Sequence, residues 1–355
     1  MLGIDGENTT SQKASRQRIF NQSERFAQGW YWAMPSRALR AGRPQAVTLL
    51  GRELVIYRGE AGEPVALDAY CPHMGASLAQ GKVEQGQIRC PLHHWKFDQT
   101  GACVAVPGAV PGAVPGADAR VQSWPTAERY GLVWVWTGEQ SSDQPEALPP
   151  LPHVPELGDR PCDAILSSRF RRNCHPNVLL INAIDAHHFN SVHELPLEIR
   201  FETQTLSQSA MQFNNTTRGG EVSRFVRLIR PLYQNEVTYR LCYWYGGTGT
   251  VTLGPDFLHF YLMFALRPAA GGTTEGWMIL LTPKRSGPPG WLFNRAVLGL
   301  TQIVANYFAK GDRQVFEGIR FDFKTPLQAD RSILQFMQHV ERQPALAWKT
   351  WRPLT

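Results

Sequence analysis

Cys71-Pro-His-Met-Gly-Ala-Ser-Leu-Ala-Gln-Gly81 and, after eight intervening residues, Cys90-Pro-Leu-His-His-Trp-Lys-Phe-Asp98 decide how this chain is read. Each segment offers one sulfur and one imidazole, Cys71 with His73 and Cys90 with His93. Two soft thiolates and two neutral ring nitrogens suit a [2Fe–2S] cluster in which two histidines replace two cysteines on one iron. Structural zinc also accepts two of each, but zinc fingers group like ligands, whereas here each segment contributes one of each type. Pro72 and Pro91 directly follow the cysteines and stiffen the loops, and Gly75, Gly81 and Gly86 mark turns between them. Short runs, Val65-Ala-Leu67 and Gln87-Ile-Arg89, precede the pairs, so both are expected on loops at strand ends. His94 adjoins His93 and competes with it on sequence alone.

These segments resemble the Rieske domain of the non-haem iron ring-hydroxylating oxygenases. Glu128-Arg-Tyr-Gly-Leu-Val-Trp-Val-Trp136 resembles the strand that closes that domain. The CxxH spacing of the family selects His93 as the ligand, leaving His94 a polar loop residue. The resemblance spans nearly the whole chain and implies an α+β fold: an N-terminal all-β Rieske domain, then a catalytic domain of helix-grip type with an antiparallel sheet and covering helices.

A length of 355 residues exceeds what a Rieske module needs and fits two domains with separate cores. No run of eighteen apolar residues suggests a membrane span, and the polar stretch Met1 to Asn21 lacks the apolar core of a signal peptide. A cytoplasmic protein is therefore expected. Of six cysteines two are assigned to the cluster; Cys103, Cys162, Cys174 and Cys242 have no framework spacing and read as reduced thiols. A net charge of +6 comes from bases spread along the chain, without the basic run or interleaved aromatics of a nucleic-acid binder. It fits better a basic patch that receives an acidic electron-donor protein.

Val47-Thr-Leu-Leu50 and Leu54-Val-Ile-Tyr57 read as strands around a tight turn, and Leu132-Val-Trp-Val-Trp136 as another. Val106 to Ala117 is a Pro-Gly-Ala-Val repeat that reads as a surface loop. The organisation expected is an N-terminal extension over 1–28, the cluster domain over 29–138, a proline-rich linker over 139–161 and the catalytic domain over 162–355. Within the last, strands are expected over Val222 to Arg230, Val237 to Trp244, Phe257 to Leu266 and Trp277 to Leu281. Trp291 to Lys310 is expected to be one long core-facing helix.

Asn182-Ala-Ile-Asp185-Ala-His-His188-Phe-Asn-Ser-Val-His193 is the second concentration of metal-binding chemistry. Read as one helix from about Asn177, it places residues 182, 185 and 188 near one face. Asn190 and Ser191 then end the helix and let His193 bend back to the same ion. Non-haem Fe(II) sites use two histidines and one carboxylate on one face. His187 competes as a ligand but is rotated by about 100° from that face. His153, His175, His259 and His339 have no partner spacing and are expected to be satisfied or exposed.

The segment resembles the family pattern Asn, Asp, His, His at these spacings. That resemblance implies His188 and His193 as iron ligands, Asn182 near the iron, and Asp185 as a relay from a ligand histidine to a cluster histidine of a neighbouring subunit. Many family members carry an acidic residue where this chain has Ile181. The carboxylate ligand implied is Asp312, in Gly311-Asp-Arg-Gln-Val-Phe-Glu317, with Glu317 and Asp322 as alternatives. Within the family the Rieske segments resemble an arylamine N-oxygenase, and Asp312 to Gln343 resembles the ketosteroid hydroxylases and sterol desaturases. Both imply a bulky apolar or aromatic substrate. Phe225, Tyr239, Tyr243, Trp244, Phe257 and Phe260 would suit its pocket, although aromatic strands are also plain core.

No GxGxxG or P-loop is present, so the chain is expected to hold neither flavin nor nicotinamide and to take electrons from a ferredoxin or flavin reductase that uses NAD(P)H. The family implies a homotrimer in which the cluster of one subunit faces the iron of the next. The reading is a terminal oxygenase acting with O2; the rivals are a Rieske electron carrier and a ligand-binding protein with a degenerate iron site. Iron analysis should give about three atoms per chain, whereas about two would leave only the carrier.

Overall fold

The computed structural model describes residues 19–23, 25–108, 119–138, 148–193, 199–215, 237–255 and 257–346. The expected strand over 222–230 with Phe225, most of the Pro-Gly-Ala-Val repeat and most of the N-terminal extension lie outside the described residues.

Strands β1 (Trp30–Pro35), β2 (Gln45–Leu49), β3 (Arg52–Arg58), β4 (Pro64–Asp68), β5 (Lys82–Glu84), β6 (Gln87–Arg89), β7 (Lys96–Phe97), β8 (Cys103–Ala105), β9 (Ser123–Trp124), β10 (Thr126–Arg129) and β11 (Leu132–Trp136) come first. They form three small sheets, ordered β1-β11-β10, β2-β3-β4-β9 and β5-β6-β7-β8. Leu50 and Gly51 make the tight β2–β3 turn, both at positive φ. Among the described residues no α-helix precedes residue 176.

The second half contains β12 (Cys162–Arg172), α1 (Pro176–Asn182), α2 (Ala186–Ser191), β13 (Phe201–Ser207), β14 (Ala210–Asn215), β15 (Val237–Trp244), β16 (Thr248–Pro255), β17 (Phe260–Ala269), β18 (Thr273–Pro283), α3 (Gly287–Gly318) and α4 (Arg331–Glu341). Its seven strands make one antiparallel sheet in the order β12-β18-β17-β16-β15-β14-β13. This is the expected α+β arrangement, with several differences, among them four strands, β12, β13, β14 and β16, where none was expected. The segment read as one helix from Asn177 is two, α1 and α2. The helix expected over 291–310 runs from 287 to 318 and so includes Asp312. Strand β17 starts at Phe260 rather than 257, and β16, rich in threonine and glycine, escapes an apolar-pattern reading.

The large sheet is buried on both faces, and successive side chains divide between two cores. Tyr243, Leu262, Met278 and Leu280 join Leu180, Ile184, Phe336 and Val340 beneath the helices. Trp244, Met263, Ile279 and Leu281 join Trp30, Trp32, Trp134 and Trp136 of β1 and β11. Trp30 pairs with Trp136 and Trp32 with Trp134 across those strands. The Arg267 guanidinium sits 3.8 Å from the Trp32 ring and donates to the Trp32 and Ala33 carbonyls. An aromatic layer therefore joins the two halves: the β1-β11-β10 sheet is held against the large sheet by burial of apolar area, and Tyr31, Ala33, Val133 and Val135 of the same sheet pack on Leu49, Leu54, Ile56 and Ala66 of β2, β3 and β4.

Phe336 of α4 is 1 % exposed and meets Phe20, Phe213 and Tyr243 edge to face. Phe336→Ala should lower unfolding free energy by about 3–5 kcal/mol in denaturant titration; a loss below about 1 kcal/mol would mean that α4 does not help to hold the sheet.

Candidate metal centres

The two cysteine loops are built alike. The Cys71 amide donates to the Ala76 carbonyl at 2.9 Å and the Cys90 amide to the Trp95 carbonyl at 2.8 Å, each five residues on. The residue four after each cysteine is left-handed, Gly75 at φ 73° and His94 at φ 61°. Glycine takes that conformation freely and a histidine only at some cost, so His94 serves the turn with its backbone. Both cysteines are buried beside Leu78, Ile88 and Phe97, whereas His73 and His93 are exposed. The two imidazoles lie 4.7 Å apart, and His73 stacks on Trp95 at 4.6 Å and 6°. Burial pushes the Cys71 thiol up to about 11, the backbone amides of His73 and Met74 pull it down, and Cys90 adds to the rise. Two anionic sulfurs in that position require a cation, and an iron–sulfur cluster supplies one.

The second centre depends on a break between α1 and α2. His175 caps α1 by accepting from the Asn177 amide, and Pro176 opens the helix. At its end Tyr239 Oη donates to the Ala183 carbonyl at 2.6 Å and Ser332 Oγ to the Ile184 carbonyl at 2.9 Å. These side chains satisfy carbonyls that a terminating helix leaves open. Asp185 is then extended, at φ −91° and ψ 104°, and its Oδ1 accepts from the amides of His187 and His188 as the cap of α2. Asn182, Asp185 and His188 therefore do not share one helix face. Asn182 is the last residue of α1, and His187 is exposed.

His188 and His193 still meet. Their Nε2 atoms are 3.0 Å apart, and Asp312 Oδ1 lies 2.8 Å from the first and 3.1 Å from the second. Ligands cis to one another at about 2.1 Å from one ion stand about 3 Å apart, so the three donors fit one face of a single cation. Among the described residues this is the one set of three such side chains drawn within 4.8 Å; the cysteine loops do not gather theirs so tightly, as one tetrahedral zinc would require. The alternative carboxylates are elsewhere: Glu317 pairs with Arg313, and Asp322 pairs with Lys324.

Several supports have no local signature. Tyr239 packs edge to face on Phe189 at 5.2 Å, and Phe308 on His193 at 4.9 Å. Tyr307 Oη donates to the His193 carbonyl. Burial lowers the His193 pKa while Asp312 opposes it, and burial followed by the Asp312 charge raises Tyr239. Gly311 is the least conspicuous: a Cβ there would stand 3.1 Å from Val192 Cγ1 and 3.4 Å from the His193 ring. Its missing side chain lets α3 approach closely enough for Asp312 to reach the histidines.

Of the remaining histidines His153 meets the expectation and the other three do not. His153 Nδ1 bonds the Leu151 carbonyl, but Nε2 of His175, His259 and His339 is buried without a partner. Burial lowers His175 and His339 to about 4 and keeps them neutral.

Residues 29–125 match the Rieske [2Fe-2S] domain. Aminopyrrolnitrin oxygenase of Pseudomonas fluorescens is 40% identical over 184 residues, covering 50% of this chain and 49% of the relative. A probable 3-ketosteroid-9-alpha-monooxygenase oxygenase component of Rhodococcus rhodochrous is 37% identical over 52% of this chain and 46% of its own length. The chain thus spans about half the length of the curated relatives it matches. Dicamba monooxygenase bound to 3,6-dichlorosalicylic acid superposes with a TM-score of 0.64 over 89% of this chain and 96% of that one, at 23% identity. NdmA of Pseudomonas putida CBB5 with caffeine gives 0.65 over 91% and 97%, at 17% identity. The fold is that of these oxygenases, and the first domain is a Rieske [2Fe-2S] domain.

Gly311→Val should weaken retention of the mononuclear iron by about 10- to 100-fold in a chelator competition, with cluster absorption unchanged. Unaltered retention would mean that the close approach at Gly311 does not set the site.

Proposed function

We propose that this relative of Rieske-type oxygenases is a terminal oxygenase component, which takes electrons from a separate reductase and uses O2 to oxidise a bulky apolar or aromatic small molecule. The observation that carries the reading is the presence, in one chain, of a Rieske domain and of the convergent donors His188, His193 and Asp312. An electron carrier needs only the first.

Cys71 and Cys90 would hold one iron of the cluster and His73 and His93 the other. The exposure of the two histidines supports electron entry and exit on that side, since buried sulfurs and exposed imidazoles make the histidine edge the reachable one. His188, His193 and Asp312 would hold a ferrous ion, which when bound supplies the site for dioxygen activation. Asp312 contributes one negative charge, and the two imidazoles none, so the set leaves a divalent ion net positive. Phe189 and Phe308 pack on the ligand histidines, with Tyr239 behind Phe189, and cover the two imidazoles, while Asp312 stays partly exposed.

Asp185 is proposed as the relay between centres. Both amide bonds of the α2 cap fall on Oδ1, and the relay uses Oδ2. Asn182, the last residue of α1, is proposed as a neighbour of the iron. The arrangement that gives this relay a partner is a head-to-tail homotrimer in which exposed His73 or His93 of one subunit faces Asp185 of the next. We place the chain in the cytoplasm, with the domain boundary in the proline-rich segment 139–161. The products follow the relatives' range: hydroxylation, N-oxygenation or desaturation.

Asparagine caps a helix as well as aspartate does, so Asp185→Asn isolates the relay from the fold. It should keep both metals and lower substrate-coupled O2 uptake by about 100-fold or more, assayed with a generic ferredoxin and reductase. Normal coupled uptake in the variant would remove the relay, and absence of uptake in the wild type with any candidate substrate would favour the carrier.

A further inference from the structure

Helix α3 turns its apolar side away from the sheet. Its buried positions include Asn294, Val297, Leu298, Thr301 and Ala305, two of them polar. Leu292, Leu300, Ile303 and Tyr307 are exposed, Ile303 by 67 %. At about 100° per residue these four fall within one stripe roughly 80° wide, and Ala296 and Gly299 lie in or beside it. The expectation of a core-facing helix therefore fails for this side: the sheet takes the opposite, partly polar face.

The surroundings say what covers the stripe. From residue 276 to 311 the chain has no Asp or Glu, and it carries Lys284, Arg285, Arg295 and Lys310. Exposed Trp291 and Phe293 flank the helix start. The Arg285 guanidinium lies over Phe293 at 4.4 Å and that of Arg295 over Trp291 at 5.4 Å. Aromatic rings with basic heads beside an apolar stripe match the depth profile of a bilayer surface, apolar below and anionic at the headgroups. A second copy laid stripe against stripe in a two-fold contact would bring like charges together. No helix among the described residues is long and apolar enough to cross a membrane.

We propose that α3 seats this protein on an anionic lipid surface, with the Leu292–Tyr307 stripe in the acyl boundary and Lys284, Arg295 and Lys310 at the headgroups. Vesicle binding does not depend on the oxygenase reading. Where that reading holds, the bilayer abuts the helix that carries Asp312, and an apolar substrate would enter from it.

The test is co-sedimentation of the full-length protein with vesicles of phosphatidylcholine alone and of phosphatidylcholine with a third phosphatidylglycerol. The protein should bind the anionic vesicles, weakly the neutral ones, and be released by high salt. Leu292→Ser with Ile303→Ser should lower binding by about tenfold or more. Lys284→Gln and Arg295→Gln should each lower it about fivefold on anionic vesicles only. Circular dichroism and cluster absorption report that each variant is folded. No binding by the wild type, or equal binding by all variants, overturns the proposal. So does a wild-type oligomer that the double serine variant dissociates while vesicles bind neither form, because a second copy then covers the stripe.

Discussion

Three donor atoms held about 3 Å apart, His188 Nε2, His193 Nε2 and Asp312 Oδ1, are the constraint on which the second half of this protein is built. Two histidine nitrogens and a carboxylate oxygen crowd together stably only when protons or a cation lie between them. Everything around them serves that approach. The α1–α2 break turns His188 inward, Val192 and His193 bring the chain back, and Gly311 removes the side chain that would hold α3 away. The carboxylate arrives from 124 residues along the chain, so no local conformation places it; the packing of α3 on β12 and β18 does.

The large sheet makes this possible because it is packed on both faces. Helices α1 and α4 cover one face and the tryptophan-rich pair β1 and β11 the other. The same strands thus support the helices on one side and the β1-β11-β10 sheet on the other, and that sheet in turn packs on β2, β3 and β4, the last of which leads into the first cysteine loop. Those loops depend far less on distant contacts: each closes on itself five residues after its cysteine, which makes the cluster site a local property of two short segments.

That difference explains what was legible in the sequence. The two loops that carry Cys71, His73, Cys90 and His93 could be read directly because their spacing, prolines and glycines are all within a few residues. That His188 and His193 come together could be read from their five-residue spacing, although through a single helix that the structure breaks in two. Asp312 came only by resemblance, and its setting was misjudged: the helix runs on through Gly311, a residue whose position near the end of an apolar pattern suggests a stop. The α1–α2 break was not legible, because the groups that satisfy the freed carbonyls are Tyr239 and Ser332, 56 and 148 residues away. Strand β16 was missed because its buried face is largely threonine and glycine, and a strand between two others needs little apolar surface of its own.

The account's central claim is that Asp312 completes a site for one ferrous ion with His188 and His193. The direct measurement is anaerobic Fe(II) titration of protein stripped of its mononuclear iron by a chelator, with the cluster left in place, for the wild type and for Asp312→Ala. The account predicts uptake of about one Fe(II) per chain by the wild type and a large loss of that uptake in the variant, cluster absorption being equal in both. Equal uptake by the two proteins would contradict it.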